Sequence, residues 1–283
     1  MGLHTTPQEF LGHFACPYES DLIWAYDKKS REYRKLPIKN VAQARGFYSA
    51  DDERMLSDEI EAPAQGPLNQ LRQGEPIGES ERKAVSLYLA SMTVRGPRAK
   101  RQRLDIATRY GENIIREYWE EVGIVPDEQA IFATMKPYRE GTVAKADPVI
   151  SSQDIAYDRA ELIERMVWSV RLMRDSMLIT SDHPIFFDEN AGMRDVHKGY
   201  MTIAIAHNVG IVTSWSGAEG TTEFIEETSE NNLAFERYAK EMNRRMVFQA
   251  DRFVFCREPV SWLRKMARNP MWNRRQVAEP PAV

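Results

Sequence analysis

The string Thr180-Ser181-Asp182-His183-Pro184-Ile185 closes an apolar run, Met177-Leu178-Ile179. A strand that ends in a short polar turn aims side chains from a rigid base, and binding groups recur at such places. Asp182 has the chemistry to accept a proton, orient a histidine or hold a metal, and Ser181 can donate a hydrogen bond to it. The same Ser-Asp-x-Pro string is also good turn chemistry, with the carboxylate bonding nearby backbone. His183 is adjacent to Asp182 and points elsewhere on a regular backbone, so it is the weaker partner.

Three further clusters could take part. His4, within His4-Thr5-Thr6-Pro7, titrates near neutrality and can serve as an acid–base group. A histidine so near a terminus can equally be a solvated side chain. Arg95-Gly96-Pro97-Arg98-Ala99-Lys100-Arg101-Gln102-Arg103 holds five basic residues and no acid, at a joint between two helices. Arg95 and Arg98 there have the fork geometry that grips phosphate or carboxylate. A solvated basic turn paired with acidic faces is the competing reading. Asn243 precedes Arg244-Arg245 near a helix end, where it reads as a cap or as a polar site residue.

Other chemistries leave no trace. There is no phosphate-cradling Gly-Lys-Ser/Thr loop, no dinucleotide glycine triplet and no His-Glu-x-x-His. Thr213-Ser214-Trp215-Ser216-Gly217 lacks the first glycine of a nucleophile elbow. Neither a metal-ligand set nor a cofactor can be named. Cys16 and Cys256 are far apart and fit two reduced thiols, as expected of a cytoplasmic protein. The 283 residues carry 38 Lys+Arg against 42 Asp+Glu, a net charge of −4, which is not that of a generic nucleic-acid binder. No apolar stretch is long enough to cross a bilayer, and no secretory leader is legible.

The elements that must position these residues come in blocks. Leu22–Tyr26 and Tyr33–Leu36 read as a β-hairpin, with a further strand over Gly46–Ser49. Helices follow: Glu53–Glu61, ending at Pro63, then Glu79–Val94, then Gly96 to about Val122. The last carries an expected buried stripe of Ala107, Ile114, Ile115, Tyr118 and Val122. Residues 136–152 are irregular, a loop or lid and a candidate boundary. Asp158 and Glu161 resemble a capping box for a helix whose apolar face is Leu162, Met166, Val170 and Met173. Strands then dominate: Met177–Thr180, Ile185–Phe187, Tyr200–Ala206 with one apolar face, and Ile211–Ser214. A helix over Ser229–Arg244, a strand over Arg252–Cys256 and a short helix near Ser261–Arg268 complete the chain. The fold class is α+β, a mixed or antiparallel sheet with a helical block between N-terminal and C-terminal strands. One domain over 1–270 is expected, with a disordered tail over 271–283.

The order of these pieces carries a resemblance. It begins with His4, Pro7, Phe10, Leu11 and Phe14, then Trp24-Ala25-Tyr26-Asp27-Lys28, Asn40-Val41-Ala42 and Phe47-Tyr48. Leu56-Ser57, Ile60-Glu61, Arg95-x-Pro97-Arg98 and Thr180-Ser181-Asp182-x-Pro184 follow, then Asn243 and Arg252-Phe253-Val254. As an ordered set it resembles the domain of unknown function 4238 family, over nearly the whole chain. Gly96 stands where the family has threonine, and His183 where asparagine is common. The resemblance implies no activity. It makes His4, Arg95, Arg98, Ser181, Asp182 and Asn243 the site candidates.

Three functions are open. A hydrolase of a phosphodiester or nucleotide would use Asp182 as base or metal ligand, His4 as acid–base group, and Arg95 and Arg98 on the anionic substrate. A non-catalytic module would dock nucleic acid or an acidic protein through Arg95–Arg103. The motif residues could also be scaffold alone. Oligomeric state is not legible.

Overall fold

The computed structural model describes residues 3–4, 6–44, 54–142, 152–187, 201–215 and 217–267. Its architecture is α+β, as the blocks of the sequence imply. Strands β1 (Leu3–His4) and β4 (Gln43–Ala44) form a short antiparallel pair. Helix α1 (Gln8–Gly12) follows β1 and buries Phe10 and Leu11. Strands β2 (Leu22–Asp27) and β3 (Glu32–Pro37) make the expected hairpin. They belong to a four-stranded antiparallel sheet, β3-β2-β11-β6, with β11 (Phe253–Cys256) beside β6 (Thr180–Ser181). The second sheet has the order β10-β5-β9-β8-β7, from β5 (Val167–Leu172), β7 (Ile185–Phe187), β8 (Met201–Ala206), β9 (Val209–Ser214) and β10 (Thr222–Glu226). There β10 and β5 run parallel and the other neighbours antiparallel. The chain therefore leaves one sheet at Ser181 and enters the other at Ile185. The turn Asp182–Pro184 is the crossing.

The helical block lies between β4 and β5. A π-helical turn (Leu56–Glu61) runs into α2 (Ala62–Gln73), followed by α3 (Glu79–Val94), α4 (Gly96–Glu121), α5 (Glu128–Arg139) and α6 (Ser152–Arg165). Helix α3 packs against α6 and α2. Val85, Tyr88, Leu89 and Met92 of α3 are fully or almost fully buried in the main core with Leu68, Leu71, Ile163, Trp168 and Phe235. Helix α7 (Asn232–Gln249) covers β6, β7 and β8, and α8 (Ser261–Ala267) packs on α7. A satellite core of Ala107, Ile115, Ile131, Met135 and Tyr138 joins α4 to α5. No described helix is long and apolar enough to cross a membrane.

Several expectations are corrected. The helix before Pro63 does not stop there: Pro63 falls in the first turn of α2, where a missing amide costs little, and Pro67 is buried inside the helix. Helix α2 ends instead at Gly74, which takes φ +78°. In α4, Tyr118 and Val122 are exposed, because the buried stripe runs through Ala107, Gly111 and Ile115 toward α5. Pro137 lies within α5, whose start is capped by Asp127 accepting Gln129 N (2.9 Å). Asp158 sits inside α6 rather than at its cap. Val170 belongs to β5, since Val167-Trp168-Ser169-Val170 is β-branched and aromatic and pairs with both β9 and β10. Only Thr180 of the expected Met177–Thr180 strand lies on a ladder. Strand β8 is buried on both faces, not one, because helices cover it. Strand β10 has no counterpart in the sequence reading. Gly46–Ser49, most of the 136–152 loop and the tail lie outside the described residues.

One buried arginine ties the helical block to the second sheet. Arg82 donates through Nε to Glu164 O (2.7 Å), through Nη1 to Thr222 Oγ1 (2.7 Å) and through Nη2 to Met166 O (2.5 Å). Its guanidinium also lies over the Trp168 ring, 4.0 Å from the centroid. Arg82→Met leaves two backbone carbonyls without a donor. It should lower unfolding stability by about 3 kcal/mol, read from urea midpoints at unchanged m-value.

Candidate functional site

The residues of the crossing turn are bonded to main chain. Ser181 Oγ donates to His183 O (2.7 Å) and accepts from His183 N (3.1 Å), closing the turn on itself. Asp182 Oδ1 accepts Asp251 N (2.9 Å), while Oδ2 accepts Arg252 N (2.8 Å) and Phe253 N (2.9 Å). Three successive amides at the head of β11 thus converge on one carboxylate. Desolvation pushes the Asp182 carboxyl up to about 6, against the pull of those three amides. Asn243 lies on α7, well inside the helix rather than at a cap. It accepts from Ile179 N (2.9 Å) and donates to Met177 O (2.8 Å). A side-chain amide so placed satisfies main-chain groups of 177–179, a segment that lies on no ladder.

The helix joint packs onto this turn. Arg95 is extended (φ −83°, ψ 159°) and separates α3 from α4. Gly96 follows at φ +93°; a β-carbon there would stand 3.8 Å from Asp182 O and 3.9 Å from His183 Nδ1. Those are ordinary van der Waals contacts, so it is the positive φ, and not the approach, that calls for glycine. The joint and the turn are therefore neighbours, as a shared site requires.

Arg95 itself is 3 % exposed. Its Nη1 donates to Glu61 Oε1 at 2.5 Å, from the end of the π-helical turn. Its Nε and Nη2 are buried with no hydrogen-bond partner. Tyr88, about two turns back on α3, is wholly buried, and its hydroxyl is likewise without a partner. Burial raises the Tyr88 phenol well above its ordinary value; Glu61 adds to the shift, and Arg95 and Arg72 oppose it. Arg72, on α2, donates through Nε to Ile205 O (3.0 Å) and through Nη1 to Asn69 Oδ1 (2.7 Å), and leaves Nη2 buried and unpaired. Burial lowers its guanidinium to about 10. Thr6, between His4 and Pro7, is fully buried with an unpaired Oγ1. Native proteins leave few buried polar groups unsatisfied, so a buried guanidinium with two bare nitrogens, as at Arg95, stands out.

The sequence candidates therefore divide. Arg95 is central. His4 is on β1, just ahead of Thr6, and Arg98 opens α4; their side chains lie outside the described residues. Ser181, Asp182 and Asn243 surround the site as fasteners of the wall that Gly96 rests on. Of the remaining basic segment, Arg101 pairs with Asp251 (3.0 Å) and Arg103 donates to Val94 O (2.6 Å). Glu61, Tyr88, Arg72 and Thr6 were not singled out. Glu61 stands within the family string Ile60-Glu61, Tyr88 lies on the apolar helix Glu79–Val94, and Arg72 carries no local signal. Among the described residues no three His, Cys, Asp or Glu side chains come together to hold a metal.

Two measurements test this division. Asp182→Asn removes one acceptor oxygen and turns an amide toward donors, so it should cost about 2 kcal/mol of stability. Beside the cluster, His13 is lowered to about 4 by burial, by Arg72 and by His207. A histidine depressed in the folded state supports folding above its unfolded value. Melting temperature should therefore fall as pH drops from 6.5 toward 4. His13→Gln should flatten that part of the profile.

Neither a curated protein nor a solved structure matches the chain. The model of the family described as "protein of unknown function (DUF4238)" matches residues 4–259. That span takes in every element from β1 to β11, and the chain belongs to this family.

Proposed function

We propose that the protein binds a small anionic molecule through Arg95 and hydrolyses it, the substrate being a phosphodiester or nucleotide. The observation that carries this reading is the buried Arg95 guanidinium, held by Glu61 on one side and bare at Nε and Nη2 on the other. Those two nitrogens form one edge of the guanidinium fork, the edge that grips two oxygens of a phosphate. In a dry site this charge is already oriented before charge develops on a transferring phosphoryl group. Glu61 is the carboxylate within reach of proton transfer, and His4, on the strand leading into Thr6, is the second acid–base candidate. Ser181, Asp182 and Asn243 keep the supporting wall in place. Docking of nucleic acid or an acidic protein through Arg95–Arg103 draws less support, because Arg95 is buried and Arg101 and Arg103 are engaged within the chain.

The test is calorimetric titration with inorganic phosphate, paired with turnover of a nitrophenyl phosphodiester. Wild type should bind phosphate, and Arg95→Met should weaken binding by about a hundredfold while the fold, checked by circular dichroism, persists. Turnover should vanish in Arg95→Met and drop by about a hundredfold in Glu61→Gln. Absence of phosphate binding by wild type overturns the reading. Binding without turnover removes the hydrolase and leaves an anion-binding protein.

A further inference from the structure

Helix α4 presents an apolar ridge that its neighbours among the described residues leave uncovered. Its 26 residues span about 39 Å. It packs chiefly on α3 and on α5, the latter through the satellite core that holds Ala107 and Ile115. Beside that stripe, Ile106, Tyr110, Ile114, Tyr118 and Val122 stand at every fourth position. Residues four apart line one ridge of a helix, the feature by which helices most often interlock. Ile114 is half-buried, and the other four are 39 % to 60 % exposed. A helix whose core side is already packed has no need of a second apolar ridge. One that carries two exposed tyrosines has the composition of an interface.

The charge along α4 names the partner. Residues 96–110 hold five bases and one acid, and residues 111–121 hold four acids and one base. Part of this charge is spent within the chain, Arg101 on Asp251 and Arg109 on Asp105. Glu117 and Glu121, on either side of Tyr118, are exposed. A second copy laid parallel would set like charge against like. Laid antiparallel, it sets each basic half against an acidic half, and two-fold symmetry makes that match twice. A nucleic acid or other polyanion would meet the acidic half with repulsion. We propose that α4 is a self-association surface, on which a second copy of this chain packs antiparallel, centred on the turn from Tyr110 to Ile114. The end bearing Ile106 then lies beside the end of the second helix that bears Tyr118. One helix face is smaller than the roughly 800 Å² per partner of a tight complex, so the dimer is reversible, with a Kd of about 10 µM.

Sedimentation equilibrium tests the association, and cross-linking tests its direction. Wild type should be a concentration-dependent dimer. Tyr110→Ser should raise the Kd at least about tenfold with the melting temperature unchanged, because the ring is exposed. Glu117→Lys combined with Glu121→Lys should raise it severalfold. Both native cysteines are buried, so a thiol placed on α4 is the reactive one. A short bismaleimide should join Ile106→Cys to Tyr118→Cys in an equimolar mixture, and neither variant to itself. In the antiparallel pair, like positions are about 18 Å apart along the axis. A monomeric wild type overturns the proposal and leaves the ridge to a different protein. A dimer that Tyr110→Ser does not weaken places the interface elsewhere and also overturns it. Cross-linking of each variant to itself, with none in the mixture, shows a parallel pair and overturns the charge argument.

Discussion

One carboxylate sets the geometry on which the remainder depends. Asp182 stands where the chain passes from the four-stranded sheet to the five-stranded one, and it gathers the amides of residues 251, 252 and 253. A two-residue strand such as β6 has little ladder to hold it. The carboxylate supplies the fixed point instead, with Asn243 holding the approach from Met177 to Ile179. Because the turn is fixed, the helix joint has a surface to rest on. Gly96 meets that surface backbone to backbone, and the reversal it permits leaves Arg95 pointing back into the helical block.

What the joint delivers is energetically awkward. A buried guanidinium with one carboxylate partner leaves donors whose desolvation is not repaid, at roughly 1–3 kcal/mol for each such group. Replacement by an apolar side chain would be tolerated by a scaffold with no further task. Instead the helix before the joint adds to the imbalance: Tyr88 brings a hydroxyl without a partner into a core with Val85, Leu89, Leu68 and Leu71. Donors not already used by the protein are what the proposed anion site requires, since strong interactions with a ligand need them free.

Much of the fold was legible because local chemistry decided it. Gly96-Pro97 split α3 from α4, and His207-Asn208 joined β8 to β9. The errors arose where tertiary contact overrode a local signal. Pro63 reads as a stop, but a π-helical turn runs directly into α2 and the proline falls in its first turn, where a missing amide costs little. Val170 keeps helical spacing with Leu162 and Met166, and only its pairing with β9 and β10 reveals a strand. For the proposed site, Arg95 draws notice in the sequence by its type and its place at a helix joint. Tyr88 was not, because a tyrosine on the apolar stripe of a helix has the same sequence signature whether its hydroxyl is satisfied or bare.

Polar residues in one ordered motif set can serve opposite ends, and hydrogen-bond accounting separates them. Ser181 donates once and accepts once within its own turn. Asn243 spends its oxygen on one backbone amide and its nitrogen on one carbonyl. Asp182 spends both oxygens on three amides. Each of these is matched to the main chain, and little capacity is left to meet a substrate. Arg95 is the reverse case, with one acceptor for a five-donor group. The surplus therefore lies on the helical side of the joint and the matched residues lie on the sheet side. A substitution on the sheet side acts through the position of Gly96, whereas one on the helical side acts on the donors themselves. The turn that looked most like a catalytic motif is the foundation, and the guanidinium with donors to spare sits next to the glycine that rests on it.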